Sequence, residues 1–329
     1  RHITAFYLET LILIIVFIAY REFHSNDYTA FSLGEHGVAF LLGGLACLLV
    51  ILITECAKCL LIMHSLGEKC AVAEAFEIIA LGRYYDALMP TGGGGQPFQI
   101  VWLTAKGYCA KTASAMPAAY FITRQLASIL ISVAVFLFFP HAVSNAVRFA
   151  AYAGLAFCCL IPFLELALSL KPVMIKKLIT RVLKIGVKLH VIKNDESALG
   201  KVMHTLDQYH EGFTHIAGSK ILPAELLGLS LLCRAALLSM PYFALRAVGS
   251  SVSFGSIFVI IVYICSAVTL IPTPGNSGVS EGTFYYVFSS PGSDGVFWAM
   301  LLWRLLCYYS FLLLGLLIFG SKLTKGRFP

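Results

Sequence analysis

Six stretches of this chain are apolar over about 18 residues or more, long enough for a helix to cross the hydrocarbon core of a bilayer. They are Ile3–Tyr20, Gly37–Met63, Ala110–Phe139, Ala142–Leu170, Ile221–Ala247 and Val296–Gly320. The whole length is 59% hydrophobic and only 12% charged, where a soluble domain carries roughly 25% charged residues. No shift in composition marks off a soluble unit. The largest polar piece, Lys171–Lys220, is too small for an independent core. The chain therefore reads as a single all-α polytopic membrane domain over residues 1–329. The first run contains Glu9 and has no small-residue cleavage site, so a retained span is expected there rather than a signal peptide.

The net charge of +7 reports orientation before it reports a nucleic-acid partner, and none is expected. Basic residues crowd Lys171–Lys220 and the tail (Lys322, Lys325, Arg327), and Lys58, Lys69, Lys106 and Lys111 flank a further polar interruption. The positive-inside rule puts all of these, and both termini, in the cytoplasm. The loops Pro140–His141, Gly249–Ser253 and Ser289–Gly295 hold no Lys or Arg and belong outside. In 171–220, Val173, Leu178, Val182, Ile185 and Leu189 recur at helical intervals among the basic residues. The segment reads as an amphipathic connector at the inner membrane surface, or equally as a solvated one.

Two apolar stretches are interrupted. Cys70–Ala105 contains MPTGGGGQPFQI, and Phe254–Ser290 contains IPTPGNSGVSEG. Glycine runs flanked by proline do not continue a helix. With the long spans oriented by charge, the first stretch starts and ends inside and the second starts and ends outside. Each is a hairpin, either two crossings or one re-entrant dip. Crossing parity leaves both open, while the breakers at the tips and the short arms favour dips. Pro90-Thr91-Gly92 is answered by Pro272-Thr273-Pro274-Gly275, and Arg124 and Arg304 follow 34 and 32 residues after Pro90 and Pro272. This pattern predicts six spans plus two re-entrant hairpins related by an inverted repeat, with residues 70–139 as one repeat and 254–320 as the other. Inverted repeats with broken helices are a transporter signature.

Irregular backbone survives at membrane depth only where protein or water satisfies it. The glycine run is therefore expected to line a cavity in which Gly92–Gly95 let a ligand approach the backbone, with Thr91, Gln96 and Gln99 as polar contacts. Pro97 suits the first turn of the resumed helix, and Asn276 or Ser277 is expected to cap the helix carrying Glu281. Both resumed helices aim N-termini, which attract anions, at the hairpin tips. Arg124, Arg234 and Arg304 lie within spans, where an arginine costs about 2.5 kcal/mol or more. Their expected partners are Glu281, Asp86, Glu74, Glu77 and Glu165, or a substrate phosphate that matches the planar guanidinium fork. The aromatic residues beside the motifs read first as packing. Cys56 and Cys59 form a C-x-x-C without a second pair, and most of the ten cysteines lie in apolar runs, where a thiol packs as a small hydrophobe. No metal-ligand spacing and no nucleophile–base pair occurs, so neither a cofactor nor a metal is expected.

The segments LMPTGGGGQPFQI, ITRQLAS, IPTPGNSGVSEGTF and WRLLCYYSFLLLG together resemble the membrane domain of the lysylphosphatidylglycerol synthase/flippase family, from about Gly82 to Tyr309. The resemblance carries Pro90, Gly94, Gly95, Gln96 and Arg124 over from the first half, and Pro274, Gly275, Gly278, Glu281, Arg304 and Tyr308 from the second. It implies a bacterial inner-membrane protein that moves an anionic or aminoacylated phospholipid between leaflets, and it is compatible with a homodimer. The family's lipid-synthesising cytosolic domain is not expected here, because the sequence stops at Pro329. Asn276 and Ser277 depart from the family pattern by adding polar atoms at the tip. The leading expectation is thus a lipid flippase without a nucleotide motif, driven by a gradient or by the membrane potential. A membrane-embedded transferase acting on a lipid headgroup, with Glu281, Asp86 or His64 as acid or base, is the alternative.

Overall fold

The computed structural model describes residues 20, 31–89, 94–170, 181, 196–271, 273, 275–289 and 295–324, and every regular element among them is helical. In chain order these are α1 (Gly37–Ser65), α2 (Val72–Leu88), α3 (Gly95–Ala105), α4 (Ala110–Phe138), α5 (Asn145–Leu170), α6 (Glu196–Gly218), α7 (Leu222–Ala247), α8 (Phe254–Val268), α9 (Val279–Phe288), α10 (Val296–Arg304) and α11 (Ser310–Thr324), with a π-helical turn at Leu305–Tyr309 joining the last two. Five helical segments are long and apolar enough to cross a membrane: Gly37–Ser65, Ala110–Phe138, Asn145–Ala167, Leu222–Ala247 and Val296–Ser321. They coincide with five of the six predicted runs. The sixth, Ile3–Tyr20, lies outside the described residues apart from Tyr20, as do 171–195 of the connector apart from Arg181.

The long helices leave apolar stripes uncovered. On α1, Val38, Leu42, Leu45, Leu49 and Ile53 are exposed at helical spacing, as expected of a face against lipid tails. The opposite side of α1 packs antiparallel on α7. The Gly34 N–H donates to the Ala247 carbonyl at 2.9 Å at one end, and His215 Nε2 lies 2.9 Å from the Ser65 carbonyl just beyond the other. Helix α6 completes the predicted connector. Its buried Phe213 and Ile216 face inward, Gly212 lies against Ala115 of α4, and Lys111 bonds Glu211 at 2.8 Å, which holds that carboxyl below its usual range.

Each interrupted stretch forms two short antiparallel helices. In the first, Tyr85 of α2 stacks on Phe98 of α3 at 4.1 Å. The Tyr108 hydroxyl, just past α3, donates to Glu74 near the start of α2 at 3.0 Å. Both arms therefore open at the end of the bundle where α1 finishes and α4 begins, and Thr112 bonds Glu68 there at 3.0 Å. In the second, Ser253 caps α8 directly after α7, and Gly295, beyond α9, packs against Val248. These arms open at the opposite end. Helix α9 has 10 residues, about 15 Å at 1.5 Å per residue, or half a hydrocarbon core.

Helix α5 meets α8 so closely that a Cβ on Gly154 would stand 1.9 Å from the Ser266 carbonyl oxygen. A backbone atom cannot yield as a side-chain tip can. Gly154→Val is expected to separate the helices and to cost about 1–3 kcal/mol, read as a lower Tm in detergent. Gly228→Val, where a Cβ meets nothing within 4 Å, is the control without this cost.

Candidate functional site

The buried apolar residues form two clusters, and charge lies between them. One cluster gathers Ile51, Val135, Cys233 and much of α7, α8 and α10. The other gathers Cys59, Ile62, Ile78, Trp102 and Met116 with the first hairpin. On α1 the buried residues between Ile51 and Cys59 are Thr54, Glu55 and Lys58, and on α4 Arg124 follows Ile122 at the edge of the second cluster. Both helix breaks end in this polar layer.

At the first break, helix α3 begins at Gly95, with Pro97 inside its first turn as predicted. The Gly95 N–H donates to Asp86 Oδ1 at 2.8 Å, and Arg124 Nη1 donates to Asp86 Oδ2 at 2.8 Å. Asp86 thus occupies the anion position at the helix N-terminus, and Arg124 neutralises it. The glycines serve a different purpose from the predicted one. A Cβ on Gly94 would meet the Tyr85 carbonyl oxygen at 2.4 Å, and one on Gly95 the Gly82 carbonyl oxygen at 2.7 Å. The space beside them is filled by α2, so at these two positions glycine admits the protein's own backbone. Gln99 is buried against Gly82 and its Nε2 lies 3.5 Å from the Ile78 carbonyl. Gln96 reaches across to Glu165 of α5 at 3.1 Å. Pro90, Thr91, Gly92 and Gly93 lie outside the described residues. A cavity of about 10 Å³ lies here, bounded by Arg83, Asp86, Gln96, Gln99, Tyr120 and Arg124, which is room for roughly one water.

The second break repeats the chemistry with a different carboxylate. Glu281, in the first turn of α9, accepts the Gly278 N–H at 2.7 Å and Arg304 Nη2 at 2.7 Å. Arg304 Nη2 also reaches the Asn276 carbonyl at 3.2 Å. The cap is therefore Gly278 together with Glu281, not the side chain of Asn276 or Ser277. Gly278 has φ +84°, which L side chains rarely adopt, and Asn276, at φ 54°, contributes its backbone instead. Pro272 and Pro274 lie outside the described residues. Four buried side-chain atoms here have no hydrogen-bond partner among the described residues: Thr273 Oγ1, Ser277 Oγ, Glu281 Oε1 and Arg304 Nε.

Tyr308 joins the two breaks. It lies in the π turn immediately after Arg304; such turns insert an extra residue into a helix and recur at functional sites. Its hydroxyl donates to the Ala87 carbonyl, at the end of α2, at 3.2 Å. Its ring fills the space beside Gly275, where a Cβ would stand 2.1 Å from Cε2 and φ is +57°. The guanidinium of Arg304 lies over both Trp303 and Tyr308, at 5.1 and 5.3 Å.

Among the predicted arginines, Arg124 and Arg304 are therefore held by carboxylates. Arg234, in the middle of α7, differs: among the described residues it makes no hydrogen bond or ion pair, and its Nε is buried without a partner. It shares the electrostatic neighbourhood of Cys265 with Arg304. Of the other predicted carboxylate partners, Glu74 serves Tyr108 and Lys106 and Glu165 serves Gln96. Sequence reasoning passed over a third ion pair, Arg83–Glu55, whose carboxylate is fully buried. It also assigned Lys58 to the cytoplasmic flank, whereas Lys58 is fully buried within α1. The signal was present: Glu55 and Lys58 stand three apart, well inside an apolar run.

A bundle of apolar helices, broken twice at a buried polar layer, defines a polytopic membrane protein with an internal charged site. The sequence profile of the family described as the lysylphosphatidylglycerol synthase TM region matches residues 8–315, and the chain belongs to that family. Comparisons with curated proteins and with solved structures gave no match.

Arg304→Met leaves the Glu281 carboxylate buried without its counter-charge, and a loss of about 3–5 kcal/mol is expected. Adding Glu281→Gln should recover most of it, since the stranded charge is then gone. Thermal unfolding of the single and double variants in detergent checks this, and a double variant as unstable as the single one contradicts it.

Proposed function

We propose that this chain carries a phosphate-bearing lipid headgroup, of the phosphatidylglycerol type or its aminoacyl derivative, between the leaflets of a bacterial inner membrane, with both termini cytoplasmic. Family membership supports a membrane role that concerns lipid. In this reading α2–α3 and α8–α9 are re-entrant hairpins from opposite faces, related as an inverted repeat, and the polar layer is the passage for the headgroup. The acyl tails stay in the bilayer. The protein acts as a transporter and not as an enzyme.

The observation that carries the proposal is the unsatisfied chemistry at the second break. Buried polar atoms in proteins almost always have partners, yet Thr273, Ser277, Glu281 and Arg304 each leave one without a partner among the described residues. A headgroup, or the water that accompanies it, supplies what is missing. Arg234 adds a guanidinium that no carboxylate among the described residues holds, and an intramembrane cation of this kind marks a substrate path. Arg124 and Arg304 then act mainly as the framework that keeps the helix ends in place, while Arg234 meets the phosphate.

The test is headgroup exposure in proteoliposomes containing labelled phosphatidylglycerol. Arg234→Ala is expected to slow exposure at least about tenfold, a change of ~1.4 kcal/mol, with an unaltered Tm. Arg234→Lys should retain part of the rate because it keeps charge without the fork. Wild-type rates in the alanine variant would refute the assignment of Arg234. A chemically altered lipid, instead of an altered sidedness, would establish a transferase.

A further inference from the structure

The first break carries charges to which the transport reading above gives no individual role. Glu55 of α1 is fully buried, and its carboxylate is held by two nitrogens of Arg83 from α2, Nε at 3.0 Å and Nη2. The Cys233 thiol of α7 approaches the same carboxylate at 3.6 Å. Lys58, three residues further along α1, is also 0% exposed. Among the described residues its Nζ makes no hydrogen bond, and it lies 4.4 Å from the centre of the Tyr120 ring. The Tyr120 hydroxyl is likewise buried with no partner among them. Spacing of three keeps Glu55 and Lys58 on one face of the helix. Two cations therefore flank one carboxylate, and only Arg83 holds it. A buried ammonium whose nearby carboxylate is bonded to another cation is a costly arrangement unless another state gives it a direct partner.

The two cations are placed differently. Arg83 borders the cavity together with Asp86, Gln96, Tyr120 and Arg124, whereas Lys58 does not. Should Glu55 turn from Arg83 to Lys58, the guanidinium is released at the cavity wall and no carboxylate is stranded. Arg124 cannot be released in the same way, because Asp86 is fixed between it and the Gly95 N–H. We infer that Arg83 is an anion-binding residue of the first break, and that Lys58 is the counter-ion that takes Glu55 when a phosphate group takes Arg83. This rests on the lipid-transport reading and adds a second phosphate station to it, on the first hairpin, apart from Arg234 on α7. The guanidinium fork suits two phosphate oxygens as it suits the carboxylate it leaves. The cavity now holds about 10 Å³, so phosphate enters as these side chains move, and the exchange is itself such a movement.

The test uses the full chain in detergent with two probes, dihexanoyl phosphatidylglycerol and inorganic phosphate, titrated calorimetrically. Lys58→Met is expected to keep or raise the Tm, since it removes an unpaired buried charge, and yet to weaken binding at least about tenfold. Arg83→Gln should weaken binding to the same extent. Glu55→Gln combined with Lys58→Met should restore wild-type affinity or exceed it, because nothing then competes for Arg83. Binding of the lipid probe alone identifies a headgroup station, while equal binding of both probes identifies a general phosphate site; either outcome supports the anion role. Unchanged affinity in Lys58→Met, or a double variant as weak as Lys58→Met, overturns the exchange, as does a wild-type protein that binds neither probe. A protein that behaves as expected here but does not alter lipid sidedness in proteoliposomes refutes the transport reading and leaves the anion site standing.

Discussion

The structure depends on a carboxylate set between a helix N-terminus and an arginine. An α-helix that begins in the middle of an apolar bundle presents free N–H groups and a partial positive charge where no water is at hand. Asp86 satisfies this at Gly95, and Glu281 satisfies it at Gly278. A buried carboxylate then needs its own counter-charge, which Arg124 and Arg304 provide from the helices that follow. The arrangement fixes the breaks without requiring a ligand. The two breaks place the carboxylate differently: Asp86 comes from the helix before its break and Glu281 from the helix after.

The charged layer separates two apolar cores, one around each hairpin. The described ends of the two interrupted stretches, Ala87 and Gly275, both come to Tyr308. The π turn aims it there, and a regular helix through Leu305–Tyr309 would turn the ring to another face. Tyr308 thus gives the two breaks a shared contact, and in the proposed transport reading it is the side chain through which one break can sense the other.

Much of this was legible in the sequence, because the length of an apolar run is set by bilayer thickness and survives any detail of packing. The long helices among the described residues and the two interruptions follow from that reasoning; Asp86 and Glu281 were among five candidate carboxylates, and only the fold pairs them with Arg124 and Arg304. What escaped it depended on contacts between segments distant in the chain. Gly94 and Gly95 looked like room for a ligand, but only the fold reveals that Tyr85 and Gly82 fill the space. Asn276 and Ser277 looked like caps by residue type, yet Glu281 reaches back to Gly278 and takes that place. Lys58 followed the positive-inside rule into the cytoplasm because the rule counts charges near span ends, and its burial under Tyr120 is a tertiary fact. Nothing in the residues Leu305–Tyr309 announces a π turn.

The central claim is that the two breaks meet at one polar site, and it is tested most directly by photo-cross-linking in the membrane from position 308. Tyr308→para-benzoylphenylalanine keeps the ring and places the reactive carbonyl where the hydroxyl now stands. The account predicts adducts in α2, at or beside Ala87. Adducts confined to α8, α9 and α10, with none in α2, would place the two breaks apart and contradict it.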